Sequence, residues 1–286
     1  MSPGIKVWLP LAPAAVVSLY WLIGLVVFSV KSAVWGLRHD RELEARGKSI
    51  LIGNFLKAFF SWIVRPLWRL VLASGISPNG ITLIAMLLGG AAGISVASGR
   101  FALGGWLFLL SGILDTFDGR LARTRGRVTQ AGAAFDSLLD RYADGAMLIG
   151  LAYYFRSTWA LIPALAALFG TSMVPYVRAK AESFGLAMKD GLMQRPERVL
   201  TLGLAVILSP WIEAWWPPTG GGHTSQRLAA VSLVMLAITS NMTAVGRIVR
   251  LLAALRAGAP APTPVAAVAA ADKSRPAPAR PRLVRT

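Results

Sequence analysis

The 286 residues include no cysteine, which excludes disulfide scaffolds and thiolate-bound metals. Only two histidines occur, His39 and His223, and their separation gives no zinc-binding spacing. Charge of either sign is thin: Asp, Glu, Lys and Arg make up 15% of the chain, against about 25% in an ordinary soluble domain. Acids are the scarcest of all. Thirteen Asp and Glu stand against thirty Lys and Arg, for a net charge of +17 and a pI near 11.4. A compact soluble protein of this length would need more polar surface than this sequence supplies.

What fills the sequence is apolar: 55% of residues, with a mean hydropathy of +0.57. A helix across the hydrocarbon core needs about 20 such residues in a row. Seven spans are read on this basis, at roughly 8–30, 79–98, 101–123, 130–155, 157–184, 196–216 and 225–250; in the fourth only Gly145–Phe155 is apolar, and its helix is expected to begin earlier, near Gln130. Several are longer than a bilayer requires, so their inner ends are expected to protrude. The first, with its charge-free run Val7–Val30, exceeds the apolar core of a signal peptide, about 7–15 residues. No small-residue cleavage site follows it, and Lys31 and Arg38 stop it, so an uncleaved anchor is expected.

Ile50–Val71 has a different pattern. Ile52, Phe55, Phe59, Ile63, Leu67 and Leu70 recur every three or four residues, with Asn54, Lys57, Ser61 and Arg65 between them. This is an amphipathic helix with a basic polar face, expected to lie in the membrane interface and to be kinked by Pro66. Ser77-Pro78-Asn79 reads as the start of the next helix. The last thirty residues hold six of the seventeen prolines and five basic residues, the composition of a disordered basic tail.

Topology explains the charge. With the N-terminus outside, the inner segments 31–78, 119–128, 178–198 and 247–286 carry 8, 4, 5 and 8 Lys and Arg. Arg141 near an inner helix end adds one more. The outside keeps Lys6, Arg100, Arg156 and Arg227. Such asymmetry is the positive-inside rule, and it removes the motive for a nucleic-acid-binding surface.

Five of the thirteen acids crowd between residues 115 and 144. Asp115 and Asp118 are spaced i, i+3 on the third span; Asp136, Asp140 and Asp144 are spaced i, i+4, i+8 on the fourth. Each set shares a helix face, and two antiparallel helices joined through Arg120–Val128 would bring four carboxylates together. Clustered carboxylates in an apolar chain need compensating cations. Three readings fit the spacing. Oxygen-only donors suit Mg²⁺ or Mn²⁺ in a two-metal clamp for phosphoryl transfer. The same acids would also serve a cation or proton path, or helix ends paired with Arg120, Arg123 and Arg141. Asp144 reads as a helix-face acid near Arg141.

The run Asp118-Gly119-x2-Ala122-Arg123-x8-Gly132-x3-Asp136-x3-Asp140 resembles the signature of the CDP-alcohol phosphotransferases at every fixed position, and Asp115 is the expected upstream acid. The resemblance extends over about residues 50–250. It implies an all-α polytopic membrane protein with a six-helix catalytic core, here carrying an extra N-terminal membrane helix and an interfacial amphipathic helix. The expected division is 1–35 for the extra helix, 36–75 for the cytoplasmic linker and interfacial helix, 76–256 for the catalytic membrane domain and 257–286 for the basic Pro/Ala-rich tail. The activity implied is transfer of a phosphatidyl group from CDP-diacylglycerol to an alcohol, with release of CMP. Asp115, Asp118, Asp136 and Asp140 are the implied ligands of two divalent cations, Mg²⁺ or Mn²⁺. Asp140 doubles as general base, and Asp118, Gly119, Ala122, Arg123 and Gly132 form the CDP pocket. A homodimer in the inner membrane, with its active site facing the cytoplasm, completes the expectation.

The acceptor is read from Tyr176-x-Arg178-Ala179-Lys180-Ala181-Glu182 and Arg195-Pro196-Glu197-Arg198, which are similar to the phosphatidylinositol phosphate synthase group. Pro175 and Arg178 stand where that group tends to have Ser and Lys. Arg178, Lys180, Arg195 and Arg198, with Lys189 nearby, are candidates to hold a phosphorylated polyol such as inositol phosphate. Glycerol 3-phosphate is the alternative acceptor, and a cation or proton transporter the alternative class. Inner loops also carry Lys and Arg for topology alone, and Arg178 is placed to pair with Glu182 at i, i+4.

Overall fold

A computed structural model describes residues 12–35, 54–186, 188, 194–216 and 226–258. Nine helices occur among them: α1 (Ala12–Trp35), α2 (Asn54–Ile63), α3 (Arg65–Ala73), α4 (Pro78–Ala97), α5 (Phe101–Thr124), α6 (Gln130–Tyr154), α7 (Leu161–Ser183), α8 (Arg195–Trp215) and α9 (Arg227–Arg256). No strand is present among the described residues, and the protein is all-α. The linker at 36–53, Lys189, both histidines and the tail from 259 onward lie outside the described residues.

All seven expected spans contain a helix. α4, α5, α7, α8 and α9 are each long and apolar enough to cross a bilayer, and the chain is an integral membrane protein. α6 has the length, at 25 residues, but its first half carries Asp136, Asp140, Arg141 and Asp144. α9 runs six residues past the expected end at 250. The outer surface is apolar, as a lipid-facing surface must be: Ile94, Ile162 and Phe169 are each more than 60% exposed.

Local chemistry sets the helix starts. Ser77 caps α4, its Oγ accepting the Gly80 N–H at 3.1 Å, with Pro78 in the first turn, where its missing N–H costs nothing. Thr129 caps α6 in the same way through the Gly132 N–H at 3.0 Å. α8 starts at Gln194, whose N–H donates to the buried Glu197 carboxylate at 2.8 Å. The amphipathic segment is two helices. The break falls at Val64, and Pro66 takes its place in the first turn of α3. Phe59, Ile63, Val64 and Val71 are buried against Ile81, Phe117 and Leu121, whereas Leu70, expected on the apolar face, is 67% exposed.

α4 is the hub: it packs along both α5 and α6, while α5 and α6 touch each other little. α8 covers the far side of α5, and α9 joins α7 and α8. Small residues make the α4–α6 seam. A Cβ on Gly89 would stand 2.6 Å from Ala143 Cβ, and one on Gly150 would overlap the Gly93 backbone. The extra helix α1 docks on α2: Gly24 admits the Ile63 side chain, Tyr20 donates to the Ile63 carbonyl at 3.1 Å, and Phe28 packs on Phe55, Phe59 and Trp62.

Candidate active site

The acids meet where α5 ends and α6 begins. Because α4 separates these helices, their carboxylates face each other across a gap instead of a packed interface. One oxygen each from Asp115, Asp118 and Asp136 falls within a group spanning no more than 4.8 Å. Asp118 is 4% exposed. Its Oδ2 accepts from the Thr82 hydroxyl at 2.6 Å, and its Oδ1 from the Gly119 N–H. Asp115 Oδ1 and Asp136 Oδ1 are buried with no hydrogen-bond partner among the described residues. Buried anionic oxygens without donors are costly, and two such oxygens with the Asp118 carboxylate beside them suit a hard divalent cation with oxygen ligands.

Asp140 is engaged differently. Its Oδ1 lies 2.9 Å from Arg195 Nη2. Arg195, the first residue of α8, also contacts Asp115 through Nη1 and Asp144 through Nε at 3.4 Å. Asp144 therefore faces α8 and not Arg141, whose guanidinium donates back to the Ser137 carbonyl on its own helix. One turn further along α8, Arg198 has Nε and Nη1 buried without a hydrogen-bond partner among the described residues.

The small motif residues line the same helix ends. Gly119 is half-buried, with the Arg123 guanidinium nearby; Ala122 is also half-buried, and Arg123 is exposed. A Cβ on Gly132 would lie 3.0 Å from Thr129 Oγ1 and 3.5 Å from Asn79 Oδ1, so the start of α4 adjoins the start of α6. Arg125 ties the α5–α6 turn to the same corner by donating to the Ile76 carbonyl at 2.6 Å. Arg120 stacks over Trp68 of α3 at 4.7 Å. The amphipathic helices thus form a wall beside the motif.

The other two basic candidates lie apart from this network. Arg178 Nε pairs with Glu182 at 2.8 Å, both side chains about half exposed. Lys180 sits over the Phe184 ring at 5.2 Å. Two contributors lie outside the motif. Thr82 carries no sequence signal of its own beyond its place one turn inside the helix that Ser77 starts, where a hydroxyl is a ready donor. Asp144 continues the i, i+4 acid stripe, and that periodicity was the available signal.

The family model described as CDP-alcohol phosphatidyltransferase matches residues 75–255. A phosphatidylinositol phosphate synthase of Mycobacteroides abscessus is 32% identical over 191 residues, covering 65% of this chain and 85% of that protein. An archaetidylinositol phosphate synthase of Methanothermobacter thermautotrophicus is 38% identical over 136 residues, 48% of this chain and 69% of its own. Among solved structures, the Mycobacterium tuberculosis phosphatidylinositol phosphate synthase with CDP-DAG bound aligns with a TM-score of 0.56 at 28% identity, over 65% of this chain and 92% of that one. The same enzyme in complex with manganese and citrate gives 0.57 at 27% identity, over 65% and 88%.

Proposed function

The chain belongs to the CDP-alcohol phosphatidyltransferase family, and we propose that it transfers the phosphatidyl group of CDP-diacylglycerol to the hydroxyl of inositol phosphate, releasing CMP. The observation that carries this reading is the meeting of the motif carboxylates with Arg195 at the start of α8, one turn before Arg198 with its idle donors. An acid cluster alone would suit many cation-dependent reactions. An acid cluster beside a guanidinium with idle donors suits one substrate that brings a diphosphate and another that brings a phosphate.

The residues fit a divalent cation, Mg²⁺ or Mn²⁺, because Asp115 Oδ1 and Asp136 Oδ1 are orphaned and Asp118 stands beside them. We assign the ligands to Asp115, Asp118 and Asp136, with Asp140 completing a two-ion site. The chemistry supplied by cations held there is neutralisation of the diphosphate and of the departing CMP. Thr82 and the Gly119 N–H hold the Asp118 carboxylate in one orientation. Gly119, Ala122 and Gly132 leave room for the nucleotide, and Arg123 reaches its phosphates. Asp140 takes the proton of the attacking hydroxyl. Arg195 and Arg198 receive the acceptor phosphate, with Arg178 and Lys180 as the outer wall of that pocket.

In this reading the site opens to the cytoplasm at headgroup depth in the inner membrane, so the lipid substrate keeps its tails in the bilayer. The homodimer and the four-part division of the chain belong to the same proposal. Release of CMP from CDP-diacylglycerol by the purified full chain tests it, with Mg²⁺ or Mn²⁺ and a panel of inositol phosphate, glycerol 3-phosphate, serine and choline. Turnover with inositol phosphate supports it. Turnover with glycerol 3-phosphate alone moves the acceptor, and turnover with serine or choline alone refutes the phosphate pocket.

A further inference from the structure

Arg195 is shared by three carboxylates from two helices. Nη1 meets Asp115 of α5, Nη2 stands 2.9 Å from Asp140 Oδ1, and Nε and Nη2 face Asp144 at 3.4 and 3.5 Å. Asp115 and Asp140 belong to the motif; Asp144, one turn beyond Asp140, does not. Asp144 is also outside the carboxylate group that gathers within 4.8 Å. Each of the three acids is only about 15–22% exposed at its side chain, so solvent screens these pairs weakly. Glu197, the acid in the first turn of α8, is turned back to the Gln194 N–H.

We infer that Asp144 is a positioning residue that retains Arg195 when Asp115 is committed to a cation, so that one donor of Arg195 passes from the protein's own carboxylate to the acceptor phosphate. The inference rests on the proposed reading of Arg195 and Arg198 as the acceptor site, and it adds that the cation and acceptor subsites are coupled. Arg195 contacts Asp115, so the guanidinium and a divalent cation would compete for one carboxylate. Asp115 given up to a divalent ion leaves Nη1 without its partner. Asp144 keeps hold of Nε, which fixes the plane of the guanidinium. Arg198, one turn further along α8, has Nε and Nη1 that also lack partners among the described residues. Three directed donors from two arginines on one turn of helix match a phosphate dianion. Linkage makes the effect reciprocal: whatever frees the donor for the acceptor is itself bound more tightly when the acceptor is present.

The test is Mn²⁺ binding by the full chain in detergent, followed by electron paramagnetic resonance without CDP-lipid, together with steady-state kinetics. Inositol phosphate should tighten Mn²⁺ binding by about fivefold or more. Arg195→Gln should tighten Mn²⁺ binding in the absence of acceptor, because a competing cation is gone, and should abolish the response to inositol phosphate. Asp144→Asn should keep Mn²⁺ affinity close to wild type, lose the response, and raise KM for inositol phosphate about tenfold, as loss of an outer-shell partner does. KM for CDP-diacylglycerol should not move, and Asp144→Glu should restore part of the response. Weaker Mn²⁺ binding by Arg195→Gln, or a fall in kcat with both KM values raised alike in Asp144→Asn, overturns the inference. Turnover of inositol phosphate with no response in wild-type Mn²⁺ binding overturns the coupling and leaves the acceptor reading standing. Absence of inositol phosphate turnover removes that reading and the inference with it.

Discussion

Along α4 and α6 the helices meet backbone to backbone at Gly89, Gly93 and Gly150, whereas toward the N-terminal end of α6 Asp136 faces Asp118 of α5. The seam leaves no room for a methyl group; the acidic end leaves carboxylate oxygens with no donor. Lipid tails are as apolar as leucine, so helices in a bilayer associate through close van der Waals contact, and small residues permit it. The seam therefore supplies rigidity. The acidic end is the part the packing does not satisfy, and it is held at fixed spacing because the seam beside it cannot slide. Stability and chemistry are thus separated along α6, which packs on α4 through the seam and faces the acids of α5 nearer its N-terminus.

The sharpest way to break that contrast is at Asp140. Asp140→Asn should lower kcat by about a hundred- to ten-thousand-fold, the range for loss of a general base. The thermal midpoint in detergent should not fall, since the variant removes one of three carboxylates crowded on Arg195. Comparable activity in the variant would sink the catalytic half of the contrast. Gly150→Leu should do the reverse. Its side chain would be driven into the Gly93 backbone, which cannot yield as a flexible side chain does. A loss of about 3 kcal/mol or more is expected, read as a large drop in thermal midpoint, with activity lost in the same proportion. Gly246→Ala is the control: nothing lies within 4 Å of a Cβ there, and neither readout should change.

Ser77→Ala sharpens the comparison at the junction of the two regions. The cap sets where α4 begins, and thereby where Thr82 meets Asp118 and Asn79 meets Gly132. Loss of the cap costs about 1 kcal/mol, a modest shift in thermal midpoint. KM for CDP-diacylglycerol should rise more than the stability change accounts for, because the frayed turn is the one that orients Asp118.

These two regions also differed in how plainly the sequence announced them. Helix positions followed from apolar runs and, for α4, from the start signal at Ser77, which are local signals. The acid motif was legible because Asp is rare in this chain, so its spacing stands out. The break at Val64 was not legible: Pro66 marks the neighbourhood of a kink, but Pro is tolerated in the first turn of a new helix, so the boundary falls two residues earlier. Which helix lies between α5 and α6 was hidden too. Glycines in an apolar run read as ordinary membrane composition, and only a partner's backbone shows which of them make a seam. The placement of Asp144 depended on α8, fifty residues away, and no local pattern connects it to Arg195.

The smallest effect is expected at Arg178, and it bears on how the basic residues are graded. Arg195 and Arg198 are mostly enclosed, and their charges act on the carboxylates with little screening. Arg178 and Glu182 are each about half exposed. A solvated i, i+4 pair of this kind contributes about 0.3–0.5 kcal/mol, and exchanging Glu182 for an acceptor phosphate swaps one screened partner for another. Arg178→Ala should therefore leave the thermal midpoint unchanged and raise KM for inositol phosphate by roughly twofold, the factor that such an energy corresponds to. Arg195→Ala, measured beside it, should raise that KM far more. An Arg178→Ala effect as large as that of Arg195→Ala would mean that the exposed wall selects the acceptor. The buried pair would then serve to hold the carboxylates apart, and the division between packed frame and unsatisfied site would have to be drawn one helix further out.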